Sequence, residues 1–508
     1  MILSWLVLFT AVSYALGGKS TGQIPIRNGV VGGVGAKKST TASTSTPTSR
    51  PTNTATSIPT STPTTTPGAL RVVENSGICE TTPGVFQASG YGDLTSTESI
   101  FFWYFAARNN AATASLTLWF NGGPGSSSML GLLQEHGPCR IANNSESVTL
   151  NPFSWNTNSN ILYIDQPVGV GFSHGTESIG TSQEAAADVW TFLQIFLKDS
   201  RFSNLASQDI AIWTESYGGH YGPAFAAYFL SQNAAIATHT ISGITLNLKT
   251  LGIGDGFTAS SLNIPRDPIT QYPAYMLYAV SNPYHPLVSS AAVTTATTWY
   301  NLENGGCHDQ IITCNNGGSN HDCNGAQNFC NFYISEPLSG PFDVYYILSG
   351  SDDPYPPDIS SYLASIQTKI GAEVAWQETN DNVYNNFAAT GDWMRSSLPD
   401  LERVINSGVR VTIYVGDADY IVNFMGVEAM IALMSTTFSA EFNQQAFAPY
   451  KVNGLLAGQF KTAGTFSYVR IYGAGHEVPV YMNGTLQVGQ AAFQLFAQTM
   501  QGTSLFST

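Results

Sequence analysis

The sequence predicts a doubly wound α/β fold: a mostly parallel β-sheet, helices on both faces, and a large inserted cap. Three features predict it. Short apolar runs of strand length recur through residues 85–471, with the uninterrupted hydrophobicity of strands buried on both faces. Helical stretches lie between several of them. The alternation then breaks from about 257 to 400, a region rich in Asn, Gly and Tyr that holds four of the six cysteines.

The elements follow in chain order. Residues 1–17 carry an apolar run from Ile2 to Leu16, short for a membrane span and followed by Gly17 and Gly18, so they read as a signal peptide that lacks a basic n-region. Residues 18–38 are Gly-rich and end in Lys37-Lys38; in residues 39–67, 24 of 29 are Ser, Thr or Pro. Such a composition cannot bury a core: residues 39–67 read as an O-glycosylated, extended spacer, and 18–67 together as a disordered leader. Residues 68–508 are globular in composition. Strands are expected at 85–91, 100–107, 116–121, 161–164, 210–213, 250–253, 409–415 and 466–471. The clearest helix is 181–198, opened by Thr181-Ser-Gln-Glu184 as a capping box, with Ala187, Val189, Phe192, Leu193 and Phe196 mainly on one side. A second, buried helix is expected over 223–230.

Composition narrows the function. The 508 residues are 43% hydrophobic, enough for one large domain. With 19 basic against 34 acidic residues, the chain is a poor partner for nucleic acid or an anionic membrane. The balance fits a soluble protein in an acidic or extracellular medium.

Six cysteines, Cys79, Cys139, Cys307, Cys314, Cys323 and Cys330, form an even set in a chain with a secretory start, which argues for disulfides. Fifteen pairings are open. Spacing favours Cys307–Cys330 nested around Cys314–Cys323, leaving Cys79–Cys139. His308 and His321 lie near the cysteines, but no Cys-x-x-Cys spacing accompanies them, and neither a metal nor a cofactor is expected.

The chemistry centres on Trp213-Thr214-Glu215-Ser216-Tyr217-Gly218-Gly219, where an apolar strand runs into a helix. A serine on such a sharp turn is a nucleophile elbow, its hydroxyl lifted above the sheet. A serine hydroxyl needs a base, and the base an orienting carboxylate. In the α/β-hydrolase arrangement these follow in the order Ser, acid, His, each just beyond a strand. Here Gly416-Asp417-Ala418-Asp419 and Gly475-His476-Glu477 occupy such junctions in that order. Asn121-Gly122-Gly123-Pro124-Gly125 follows another strand, and its loop assigns the oxyanion donors to the N–H groups of Gly123 and Tyr217.

These motifs, with Asn151-Pro-Phe-Ser-Trp155 and Asp165-Gln-Pro-Val-Gly-Val-Gly-Phe-Ser173, resemble those of the secreted serine carboxypeptidases over roughly residues 75–500. The resemblance implies an α/β-hydrolase fold with an insertion before the catalytic acid, and a triad of Ser216, Asp419 and His476. It leaves Asp417 to structure its loop. It further implies that Asn121, the N–H of Gly122, Glu135 and Glu215 bind the free carboxylate of a peptide C-terminus. Elementary electrostatics agrees: two charges ~4 Å apart at an effective dielectric of ~20 repel by roughly 4 kcal/mol, about three pKa units. Two glutamates facing a carboxylate should therefore keep a proton. An acidic optimum for peptides is expected, with esters less affected.

The resemblance has departures. Ser126 stands where many members have Cys, so one tie between core and insertion should be absent. Asp255 replaces a common Asn. His220 is expected to pack behind the elbow. Asn143 and Asn483 begin N-glycosylation sequons. The expected partners are peptide and protein C-termini, in the extracellular medium or a vacuolar or lysosome-like compartment. An esterase or acyltransferase of the same architecture, and a non-catalytic binding protein, are the alternatives. Asn121, Glu135 and Glu215 together speak against the first, the complete triad against the second.

Overall fold

The computed structural model describes residues 26–27, 30–31, 65–258, 271–349, 356–482 and 484–508. The expected signal peptide, most of the leader and Asn483 fall outside the described residues. Within the leader a two-residue ladder pairs Ile26–Arg27 with Val30–Val31, and the globular part begins at about Thr65, whose neighbour Thr66 donates its N–H to Asp93.

An eleven-stranded sheet forms the centre. In chain order its strands are β1 (Leu70–Glu74), β2 (Gln87–Asp93), β3 (Ser99–Phe105), β4 (Leu116–Phe120), β5 (Asn160–Ile164), β6 (Ile210–Glu215), β7 (Leu248–Gly254), β8 (Arg410–Gly416), β9 (Ala448–Val452), β10 (Leu455–Ala463) and β11 (Phe466–Ile471). The spatial order is 9-10-11-8-7-6-4-5-3-2-1. The six central strands, from β5 to β11, are parallel, and both flanks are antiparallel. β1, β9 and β10 escaped the sequence reading. Each lies toward an edge and is partly exposed, so it lacks the continuous apolar run of a buried strand.

Strand pleating divides the core in two. In β6, Ile210 and Ile212 point to one face while Ala211 and Trp213 point to the other. The first face is covered by α1 (Ser182–Lys198) and α2 (Gly218–Ala237), the second by a C-terminal helix, Gln490–Met500. In α1 the Thr181 hydroxyl accepts the Glu184 N–H at 3.2 Å. The reciprocal half of the expected capping box is displaced: Glu184 accepts from Gly180 N–H at 3.0 Å. Val189, Phe192, Leu193 and Phe196 are buried, whereas Ala187 is only half-buried.

Between β7 and β8 the chain is chiefly helical, including Gln271–Ser281, Ser290–Tyr300, Cys307–Asn315, Asn320–Cys330 and Asp381–Thr390. The last helix before β8, Leu398–Asn406, packs on α2 and belongs to the covering layer of the sheet. Disulfides join Cys307 to Cys330, Cys314 to Cys323, and Cys79 to Cys139. No described cysteine is free, which leaves no thiolate for a metal beside His308 and His321. No helix of the described residues is long and apolar enough to cross a membrane.

Candidate active site

Ser216 directly follows β6 at φ 64°, a left-handed conformation in which a non-glycine side chain is strained. The turn is held because Ser216 N–H donates to Gly254 O at 3.0 Å and its carbonyl accepts from Gly219 and Phe257 N–H, each at 2.9 Å. At Gly219 a Cβ would stand 2.5 Å from the Phe257 backbone nitrogen, so the crossing requires glycine. Helix α2 begins at Gly218, earlier than expected, and Pro223 is accommodated within it.

The acid and base arrive from neighbouring strand ends. His476 Nδ1 lies 2.8 Å from Asp419 Oδ2, with both side chains buried. His476 N–H donates to Tyr345 O at 2.9 Å, and the Tyr345 ring lies 4.9 Å from the imidazole, so the inserted region also holds His476. His476 Nε2 meets no hydrogen-bond partner among the described residues. Asp417 points elsewhere: its carboxylate accepts from the Tyr284 hydroxyl and, at 2.8 Å, from Gly473 N–H. His220 is stacked between Tyr217 and Phe257, its nitrogens against the carbonyls of Phe257 and Arg395.

One pocket contains Ser216, His476, Asn121, Gly122, Gly123, Glu135 and Glu215. Gly122 abuts the elbow so closely that any side chain would collide with Tyr217 N. The glycine loop therefore packs directly against the residue after Ser216. Asn121 is fixed by Trp119 Nε1–H at 2.7 Å and Gly131 N–H at 3.0 Å, both donating to its Oδ1. Its Nδ2 then donates at 3.1 Å to Oε1 of Glu135 and at 3.1 Å to Oε1 of Glu215. Glu135 comes from a single π-turn, Gly131–Glu135, a wide turn of the kind frequent at functional sites and without a sequence signature. Burial drives the Glu135 carboxyl up, against the bonds from its neighbours; burial and the adjacent Glu135 charge push Glu215 well above the carboxylate range. Both shifts favour a proton held between the two carboxyls over two separate charges.

The inserted region closes one side of the pocket with Tyr345, Thr379 and Tyr384. Residues 376–380 are clamped to the glycine loop by backbone bonds: Ser127 N–H to Glu378 O at 2.9 Å and Asn380 N–H to Gly125 O at 3.0 Å. Ser126 forms a backbone bridge with Thr379. Where a disulfide tie is lacking, main-chain pairing makes the connection. Sequence reasoning missed these lining residues, and it missed the proximity of Asp255 to Asp419. A signal existed for the latter, since Gly254-Asp255-Gly256 follows the strand between those of the nucleophile and the acid, and sites in open α/β sheets collect at carboxyl ends of strands. Asn143 is exposed beside the turn joining a small ladder, Cys139–Ile141 and Val148–Leu150.

A family model for serine carboxypeptidases matches residues 78–502. Carboxypeptidase S1 of Penicillium janthinellum is 43% identical over 441 residues, spanning 86% of this chain and 100% of its own length. Carboxypeptidase S1 homolog A of Arthroderma otae is 33% identical, covering 80% of this chain and 72% of its own. Among solved structures, Kex1(Δ)p, a prohormone-processing carboxypeptidase from Saccharomyces cerevisiae, superposes with a TM-score of 0.64 at 22% identity, over 83% of this chain and 93% of that one. At that identity the likeness concerns the fold, an α/β-hydrolase sheet.

Proposed function

The chain belongs to the serine carboxypeptidase family and is a serine carboxypeptidase, and from that premise we propose that it releases single C-terminal residues from peptides with Ser216, His476 and Asp419, best at acid pH. The observation that carries this reading is the Asn121 amide bridging Glu135 and Glu215 in the pocket of Ser216. The proton shared by Glu135 and Glu215, with the N–H of Gly122 beside it, can donate to a carboxylate; such groups suit a free C-terminus and have no use in cleaving within a chain.

The steps follow from the groups. Ser216 Oγ attacks the last peptide carbonyl while His476 Nε2 takes its proton, and Asp419 holds Nδ1–H and stabilises the imidazolium. The N–H groups of Gly123 and Tyr217 receive the developing oxyanion. The tetrahedral intermediate collapses, His476 protonates the departing amine, and the C-terminal amino acid leaves. Water, deprotonated by His476, then attacks the acyl-enzyme and frees the shortened peptide. The reading places the protein outside the cell or in an acidic vacuolar compartment, with 257–400 as a cap and Asn143 and Asn483 as surface glycan acceptors.

The test is release of the C-terminal residue from a blocked dipeptide, beside the same dipeptide amidated, at pH 4–5. Strong preference for the free acid is expected. Equal cleavage of both, or cleavage of esters alone, would move the assignment to an esterase or acyltransferase.

A further inference from the structure

Beneath the triad lies a carboxyl group that the mechanism above does not use. Asp255 follows β7, between the strand of Ser216 and that leading to Asp419. Its backbone sits at φ 40°, fixed by its N–H donating to Tyr414 O at 2.8 Å. Its Oδ1 accepts from Gly416 N–H at 2.9 Å. So anchored, the side chain reaches the acid of the triad: one ligand atom each from Asp255, Asp419 and His476 lie within 4.8 Å of one another. Asp255 and Asp419 are both 0% exposed. Among the described residues, Asp255 Oδ2 and Asp419 Oδ1 meet no hydrogen-bond donor.

Two orphaned carboxylate oxygens in one sealed site are costly when both carboxyls carry a full charge. A single proton between the carboxyls resolves it, supplying a donor to one oxygen and removing one of two like charges. We propose that Asp255 is a positioning residue of the triad, a neutral carboxylic acid in the active enzyme whose O–H donates to Asp419, which in turn holds His476. The inference rests on the triad reading given above.

The surroundings favour the protonated form. Burial first, and the Asp419 charge second, push Asp255 well above the usual carboxylate range, with the Gly416 N–H opposing. The other titratable groups felt at this site are acids or phenols: Glu477, Glu215, Tyr278 from the inserted region, and Tyr414 and Tyr468 from the sheet. His476 is the one basic group in the cluster. When pH rises far enough to remove the proton, Asp419 Oδ1 loses its donor, leaving Val422 N–H (3.3 Å) and His476 on Oδ2, and a second negative charge appears beside it. Its hold on the imidazole then fails, so kcat carries an alkaline limb set by Asp255.

The decisive measurement is kcat against pH, from 4 to 9, for an ester substrate, with wild type, Asp255→Asn and Asp255→Ala. An ester without a free carboxylate keeps the Glu135–Glu215 pair out of the readout. Asp255→Asn retains a donor and cannot titrate, so it should keep kcat within about threefold at pH 5 and move the alkaline limb up by about one pH unit or more. Asp255→Ala should lower kcat by about 10- to 100-fold with KM little changed. An unshifted limb in Asp255→Asn, or a loss at pH 5 as deep as that of Asp255→Ala, would overturn the proposal. If Asp255→Ala does not fold, infrared difference spectra of wild type against Asp255→Asn at pH 6–7 take its place. A carboxylic-acid C=O band present in wild type alone is expected, and its absence would overturn the proposal. Labelling of Ser216 by a phosphonate in wild type is read separately. Failure there sinks the triad, whereas the infrared band reports on the Asp255 proton alone.

Discussion

Two carboxyl pairs flank Ser216, and they are built by opposite means. Glu135 and Glu215 are bridged by an amide, each giving one oxygen to Asn121 Nδ2, with both Oε2 atoms buried and without a donor among the described residues. Asp255 and Asp419 have no bridging amide between them; their outer oxygens are taken by Gly416 N–H and by His476. The first pair lines the pocket, where its proton can be shared with a substrate carboxylate. The second is sealed beneath the base, where its proton serves only to hold the acid in place. Excess charge is relieved by the same means in both, yet the first should govern binding and the second turnover.

The sharpest way to break the comparison is at Asp419. Asp419→Asn leaves the shape of the site but presents His476 with the wrong partner, and kcat should fall by about 10⁴-fold on peptides and esters alike. Burst titration of Ser216 checks it. A loss confined to peptides would mean that Asp419 acts through substrate binding. Next in size is Glu215→Ala. A hydrogen bond to a charged group contributes about 1.5–3 kcal/mol, so kcat/KM on a free-acid dipeptide should fall by about 10- to 100-fold. The loss on an ester lacking that carboxylate should be much smaller. Equal losses on both substrates would remove the distinction between the pairs.

A smaller and more diagnostic effect concerns pH. Peptide binding requires the proton held by Glu135 and Glu215, whose carboxyls burial has raised. Above the apparent value of the pair, peptide kcat/KM should fall by about tenfold per pH unit, while ester turnover holds until the Asp255 limb is reached. Glu215→Gln, which keeps a donor without titrating, should flatten the peptide profile. A wild-type profile that falls in parallel for both substrates would show one ionisation governing both, contrary to two independent pairs.

The two pairs differed in legibility for a physical reason. Ser216, His476 and the acid loop lie at junctions of strongly apolar strands, where local sequence announces a turn at the carboxyl end of a strand, and the parallel centre was readable from the same runs. Choosing Asp419 over Asp417, and finding Glu135, needed family resemblance, because which acid reaches the base depends on long-range contacts such as Tyr284 with Asp417. Asp255 was visible only as a residue of unusual type. Its meaning came from distance to Asp419, which no periodicity encodes. The edge strands β1 and β9, and β10 next to an edge, were lost because partial exposure dilutes the apolar signal.

The smallest expected effect compares the pairs through stability. Glu215 has a folded value well above its reference of 4.5, so the folded chain binds a proton that the unfolded chain has lost. That contribution is whole below the unfolded value and disappears as pH rises through the folded one. Glu215→Gln cannot titrate, so between pH 4.5 and the raised value the wild type should lose stability relative to the variant, by up to about 1.4 kcal/mol per pH unit. Buried His136 acts in the other sense, its value held well below 6.5 by burial, but it is present in both proteins and cancels in the difference. Asp255→Asn should give a slope of the same sign, since Asp255 is raised too. Urea unfolding of the three proteins from pH 4.5 to 7, with disulfides intact, measures both slopes at equilibrium. Stability curves that run parallel to wild type would mean that neither pair carries an extra proton in the folded protein. A slope for Glu215→Gln alone would confine proton sharing to the substrate end and leave Asp419 to hold His476 without help.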